Sequence, residues 1–256
     1  MRMEHLLTLL VLSLLHLNGH VSMDIIGGNE AAPHSRPYMA LLNPKKPCGG
    51  ALIKPNWILT AAHCFVDSNS YAILGAHRLR DTQEQQNLAI KRGIKYPCYD
   101  KGLQIYDLQL VELDEPAKLN KFVALLPLPK MEETITAGKI CSMAGWGQTD
   151  LRKRTLSDVL REVNLAIVKN EECKKQYSKV KQPITDNMMC ARAPNKHRKA
   201  DTCARQQSRG GTLKVSCDQK VLEVVVLDTL NIREERVFCN SNSPDLSNFC
   251  PILDLQ

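Results

Sequence analysis

No stretch of this chain is low in complexity and no segment repeats. Glycine and proline, at 13 each, are too few for a collagen-like or linker-dominated protein. With 43% hydrophobic and 24% charged residues the composition excludes global disorder. At 256 residues the chain can bury the core of one large β-rich domain or two small ones without a metal or cofactor to hold it. No CxxC pair occurs, which removes local support for zinc ribbons and thioredoxin-like redox sites. There is no Asn-X-Ser/Thr sequon, no phosphate-binding loop and no metal motif, so no cofactor is expected. Long amphipathic helices are scarce. The one long apolar run, Leu6 to Leu17, is too short to span a bilayer comfortably.

What is present begins with that run. Arg2 supplies a positive start, the apolar stretch follows, and small residues lie near Ser22, the pattern of a signal peptide over residues 1–22. A buried helix or a short anchor is the plainer alternative. Export to an oxidising compartment fits the 10 cysteines, which read as a disulfide framework. The formal charge of +7 favours acidic partners, sulfated polysaccharide or nucleic acid, without identifying either. Basic residues cluster at Arg152-Lys153-Arg154, Lys174-Lys175, Lys179 to Lys181 and Lys196 to Lys199, which as a simple reading are solvated faces.

From Ile25 onward, short β-favouring runs alternate with turn residues. They cover Tyr38 to Leu42, Ala51 to Leu59, Tyr71 to Leu74, Leu88 to Ile94, Leu108 to Leu113, Lys139 to Ala144 and Leu160 to Val168. That spacing predicts an all-β barrel or sandwich rather than βαβ units. Glu171 to Tyr177 reads as a short helix capped by Asn170, and Pro116 to Leu128 as a linker between two halves. All glycines lie at or before Gly211, so the tail lacks the residue that tight turns need; Val221 to Leu227 is its one candidate strand.

Three pieces point to acyl transfer. His63 sits in Thr60-Ala61-Ala62-His63-Cys64, where small residues crowd the backbone and a disulfide could pin the imidazole as a general base. Alone, a histidine beside a cysteine more often has a structural role. Asp107 opens the strand-like Asp107-Leu108-Gln109-Leu110, where its carboxylate could orient a histidine ring; alone it reads as a strand-edge aspartate. The third piece is a serine downstream of Cys203.

Taken in order, Ile25-Ile26-Gly27-Gly28, the stretch ending in Thr60-Ala61-Ala62-His63-Cys64, Asp107-Leu108, Ala144-Gly145-Trp146-Gly147 and Asp201-Thr202-Cys203 resemble a chymotrypsin-fold, trypsin-like serine protease. Within that family NEAAPHSRPYMALL, ILGAHR and YPCYD are similar to the granzymes of cytotoxic lymphocytes. The resemblance runs from Ile25 to Cys203. It implies two six-stranded antiparallel β-barrels within a protease domain over 25–256, with the second barrel incomplete or altered after Cys203. It also implies a secreted or granule-stored zymogen. Removal of a propeptide, residues 23–24, would free the Ile25 ammonium to pair with an aspartate beside the nucleophilic serine. His63 would be the base, Asp107 its orienter, and Asp201 the pocket acid that selects Lys or Arg in protein substrates.

The nucleophile loop departs from the family. Counting from Cys203, Arg205 stands where the family has an oxyanion-region glycine, Gln206 where it has the aspartate and Gln207 where it has the serine. Ser208, one position further, is the best available nucleophile. An arginine at the glycine position disturbs the backbone donors of an oxyanion hole. Without the aspartate, a buried Ile25 ammonium would stand unpaired at a cost of several kcal/mol, roughly, so it is expected to stay in solvent. No Trp follows Trp146, although the family closes with Trp-containing elements. A break this abrupt is what an alternative exon, a frame change or an erroneous gene model would leave. Two functions therefore stand side by side: a serine endopeptidase, and a catalytically inactive homologue acting as a binding protein.

By resemblance, Cys48 pairs with Cys64, Cys173 with Cys190 and Cys141 with a cysteine after the serine, Cys217 being the first choice; Cys239 is then a candidate partner for Cys203. Cys98 resembles a cysteine that links two copies in a disulfide-bonded homodimer; an internal bridge to Cys250 or a free thiol is the alternative. Proteoglycan or another polyanion is the implied partner for the basic clusters, and the mature chain is expected to have no membrane span.

Overall fold

The computed structural model describes residues 28–42, 47–67, 69–103, 105–128, 136–147, 157–178, 184–186, 188–192, 204–207 and 213–216. After a two-residue strand β1 (Asn29–Glu30), the chain forms β2 (Met39–Leu42), β3 (Cys48–Lys54), β4 (Trp57–Thr60), β5 (Tyr71–Leu74), β6 (Gln86–Lys95) and β7 (Gln109–Leu113). These six close into an antiparallel barrel in the order β2-β3-β4-β7-β6-β5, with β5 returning to β2. Closure leaves no unpaired strand edge. Alternation along each strand sends Ala40, Leu42, Leu52, Ile58, Ala72, Leu74, Val111 and Leu113 into one buried interior.

The run Ala51 to Leu59 is two strands rather than one. Pro55 and Asn56 form a two-residue turn between them, with Lys54 opposite Trp57. Proline has no N–H for a ladder, so the run breaks where it stands. Across this hairpin a Cβ on Gly50 would lie 2.7 Å from Ile58 Cγ2, so only glycine lets β3 and β4 approach.

β2 is buried on both faces because a second hydrophobic layer lies outside the barrel. Met39, Leu41 and Ile73 leave the barrel wall to pack with Ala31, Ala144, Trp146 and Leu160. Main-chain bonds sew the same seam: Leu160 N–H donates to His77 O at 2.8 Å and Leu79 N–H to Asp158 O at 2.8 Å. Trp146 Nε1–H also donates to His77 O, at 3.1 Å. Arg36 reaches from the barrel side to Glu162 at 2.8 Å.

Beyond the seam, β8 (Ile140–Gly145) pairs with β9 (Arg161–Val168), whose other edge takes β1 at one end and β10 (Cys190–Arg192) at the other. A separate hairpin joins β11 (Ala204–Gln207) to β12 (Leu213–Ser216). Among the described residues the second half is thus a four-stranded sheet and a hairpin. The run Val221 to Leu227 lies outside the described residues.

α1 (Asn170–Tyr177) begins one residue earlier than expected, with Lys169 in the capping position and no side-chain cap bond. Asn170 is not the cap: its Nδ2 donates to Thr185 O at 3.1 Å and Met188 O at 3.3 Å, tying the helix to the following loop. The expected linker after Pro116 is a strap folded onto the barrel. Ala117 and Val123 enter its core, and Ala124 N–H donates to Pro37 O at 3.1 Å. No helix among the described residues is long and apolar enough to cross a membrane.

The bridges Cys48–Cys64 and Cys173–Cys190 are formed. Cys141 is buried on β8, and Cys203, Cys217, Cys239 and Cys250 lie outside the described residues. Cys98 is disulfide-bonded.

Two stability tests follow from these contacts. Gly75 has φ +76° and its Cβ would meet Glu84 O at 2.5 Å, whereas Gly138 has φ +91° and open space around it. Gly75→Ala is expected to lower the free energy of urea unfolding by more than the ~1–2 kcal/mol of a left-handed alanine, and Gly138→Ala by no more than that. Hydrogen bonds from Lys91 first and Arg92 second hold the Glu112 carboxyl below the usual carboxylate range. Such a depressed group stabilises the fold above its unfolded value of about 4.3, and the contribution is lost as pH falls through the lowered native value. The stability gap between wild type and Glu112→Gln should therefore be full at neutral pH and close in acid.

Candidate active site

His63 and Asp107 stand 44 positions apart in sequence and meet because β4 pairs with β7. Thr60, the last residue of β4, lies opposite Gln109, the first of β7. The chain leaving β4 and the chain entering β7 are thus at the same rim of the barrel, His63 shortly after one and Asp107 shortly before the other. Ala61 and Ala62 are both buried, so the backbone carrying the histidine is packed tightly against the barrel end. A turn closed by Cys64 N–H donating to Ala61 O, and the Cys48–Cys64 bridge to β3, hold it there. Thr60 Oγ1 donates to Gly49 O at 2.7 Å and braces the same corner.

Both Asp107 oxygens engage one residue. Oδ1 accepts the His63 backbone N–H at 2.8 Å and Oδ2 lies 2.6 Å from His63 Nδ1. The Asp107 side chain is 2% exposed and that of His63 is 18% exposed, so the ring's outer edge faces the surface while its partner is sealed. A carboxylate only accepts, which puts the proton on Nδ1 and leaves the Nε2 lone pair available. An imidazole held this way can take a proton at Nε2 and be stabilised as imidazolium by the buried negative charge.

Three tyrosines stand close to Asp107, and the sequence carried no signal for them: Tyr106 precedes it, Tyr96 N–H donates to Leu108 O at 2.8 Å, and Tyr99 feels its charge. Tyr96 and Tyr106 stack with ring centroids 5.6 Å apart. Tyr106 has φ 53°, a left-handed conformation that costs a bulky residue energy and turns the chain sharply just before Asp107. Burial, with the Asp107 and Asp100 charges adding to it, pushes the Tyr99 phenol up to about 12, so it stays a neutral hydroxyl beside the dyad.

Ile25, Asp201 and Ser208 lie outside the described residues. Arg205, Gln206 and Gln207 are described, and they differ from the expected turn: they run along β11 opposite Val215, Lys214 and Leu213. Extended ladder backbone spends its N–H groups on a neighbouring strand, whereas an oxyanion hole needs them converging on one point.

Asp107→Asn should remove the strongly deshielded Nδ1 proton signal of His63 from the proton NMR spectrum while far-ultraviolet circular dichroism is unchanged. A signal that survives the substitution would mean that Nδ1 has another acceptor.

The family model described as Trypsin matches residues 25–204, ending one position past Cys203. Granzyme A of Bos taurus is 43% identical over 169 residues, covering 65% of this chain and 66% of that protein. Granzyme F of Mus musculus is 41% identical over 180 residues, covering 68% of this chain and 71% of that one. Among solved structures, one described as "Structure of GrC" superposes with a TM-score of 0.63 at 29% identity, covering 79% of this chain and 95% of its own. The chain thus spans about two thirds of the granzyme A length that it matches. With the family match extending over more than half of its residues, the chain belongs to the trypsin family of serine proteases.

Proposed function

We propose that the chain is a granzyme A-like secreted serine endopeptidase that cleaves proteins after Lys or Arg through an acyl-enzyme. The observation that supports this reading most is the clamp of both Asp107 oxygens on His63, which leaves Nε2 as the one basic position of the ring. In the proposed reaction His63 Nε2 takes the proton of Ser208 Oγ as that oxygen attacks the scissile carbonyl. The imidazolium then returns the proton to the leaving amine, and water repeats the sequence to release the acid. Asp201 would hold the Lys or Arg side chain by charge-assisted hydrogen bonds. Cleavage before Ile25 would free the ammonium of the mature chain, and secretion or granule storage would follow from residues 1–22. The basic clusters would bind polyanions, more weakly as salt rises. Lys174 contributes less than its neighbours to such a surface, because Asp186 accepts from its Nζ at 2.6 Å.

A second reading, a catalytically inactive homologue that binds without cleaving, is favoured by one specific observation. Gln207 stands at the family's serine position, and its stretch of chain is in β-ladder conformation.

Protein beginning at Ile25 should be treated with a fluorophosphonate and assayed on a Lys thioester. The endopeptidase reading expects labelling that Ser208→Ala abolishes and thioester turnover that Asp107→Asn lowers about ten-thousandfold. Absence of labelling and of turnover in the wild type would leave the binding protein as the function.

A further inference from the structure

The mechanism uses the Cys48–Cys64 bridge only as a brace, yet that bridge ends beside the imidazole. Cys64 Sγ lies 3.9 Å from His63 Nε2, and the ligand atoms of Cys48, His63 and Cys64 all fall within 4.8 Å of one another. While the sulfurs are joined they are poor metal ligands, because coordination needs the thiolate. We propose that reduction of the Cys48–Cys64 bridge turns this corner into a tetrahedral zinc site, in which two thiolates and His63 Nε2 hold the metal and water takes the fourth position.

The geometry suits zinc. With Zn–S near 2.3 Å and Zn–N near 2.0 Å, tetrahedral ligand atoms stand roughly 3.5–3.8 Å apart. The imidazole and the Cys64 sulfur are already at about that separation, and the Cys48 and Cys64 Cα atoms, 6.1 Å apart, let the two thiolates share one ion by side-chain rotation. The hydrogen bond behind the ring is the stronger argument. Metal-bound histidines donate their other N–H to a carboxylate or carbonyl, which fixes the tautomer and raises basicity. Asp107 does this to His63 already, at 2.6 Å, with a side chain that is 2% exposed. The tautomer that leaves Nε2 free for a proton leaves it equally free for a metal.

The redox step balances with a dithiol reductant. Its thiolate attacks the sulfur of Cys48, the half-buried partner, because Cys64 is buried. The S–S bond breaks, the electron pair leaves on Cys64 as thiolate, and the reductant is held as a mixed disulfide. The second thiol of the reductant then attacks that mixed disulfide, releases Cys48 as thiolate and leaves the reductant as its cyclic disulfide. Two electrons pass to the protein, and the two thiol protons of the reductant go to solvent when the metal takes both thiolates. Nε2 bound to zinc accepts no proton, so the same event removes the base of the proposed reaction. The site itself stands whether or not the chain turns over substrate.

Cobalt(II) is the probe, since thiolate ligation gives a near-ultraviolet charge-transfer band and a tetrahedral field gives intense visible bands. The full chain, reduced with a phosphine and titrated anaerobically, should develop both with one equivalent of cobalt, and the oxidised chain neither. Cobalt affinity should fall at least tenfold in His63→Ala, and about ten- to a hundredfold in Asp107→Asn with the thiolate band retained. His63→Ala leaves both cysteines in place, so the comparison stands even where a cysteine substitution unfolds the chain. No bands in the reduced wild type, or an affinity unchanged in His63→Ala, overturns the site. A full thiolate band in Cys48→Ser overturns it equally, by assigning the metal to other cysteines.

Discussion

The antiparallel pairing of β4 with β7 is the constraint on which the site depends. Four register pairs, Trp57 with Glu112 through Thr60 with Gln109, decide that the residues just past one strand and just before the other share a rim. A slip of one position would turn every side chain of a strand to the opposite face and carry Asp107 away from the imidazole. The register is held by what the strands bury. Ile58, Val111 and Leu113 must point into the barrel while Leu59 and Leu110 pack outside it with Ile53, so a one-residue slip would misplace both sets. Chemistry at the rim is thereby inherited from hydrophobic burial below it.

The seam between the halves has a similar economy. His77 offers a single carbonyl to two donors, Leu160 N–H and Trp146 Nε1–H, and its ring lies against Glu30 at 3.0 Å. Because β1 pairs with β9, the first described residues of the chain are fastened to the second half before the barrel begins. The chain crosses the seam at once and returns to it at Trp146, so the two halves share a hydrophobic layer rather than a hinge.

Much of this was legible from pattern. Alternation located the strands of the barrel to within a few residues, and the family motifs identified the protease fold. What pattern missed has physical causes. Pro55-Asn56 is so short a turn that Ala51 to Leu59 reads as one apolar run, although proline's missing N–H marks the break. Asn170 looks like a cap because asparagine before an acidic turn usually is one, yet its amide is used by the carbonyls of a loop that comes later in the chain. The contact of His63 with Asp107 is invisible in spacing, since it exists only through the β4–β7 register. The left-handed Tyr106 is invisible too, because tyrosine has no preference for that conformation and tertiary contacts impose it. The break after Cys203 was readable as lost glycines, and the family match ends beside it.

The closed barrel leaves no strand edge open in the half that carries the dyad. An open edge is a template on which a strand from another molecule can add, and closure removes it. The imidazole and its carboxylate thus stand on a rim whose strands a second copy cannot extend, so crowding leaves His63 and Asp107 in place.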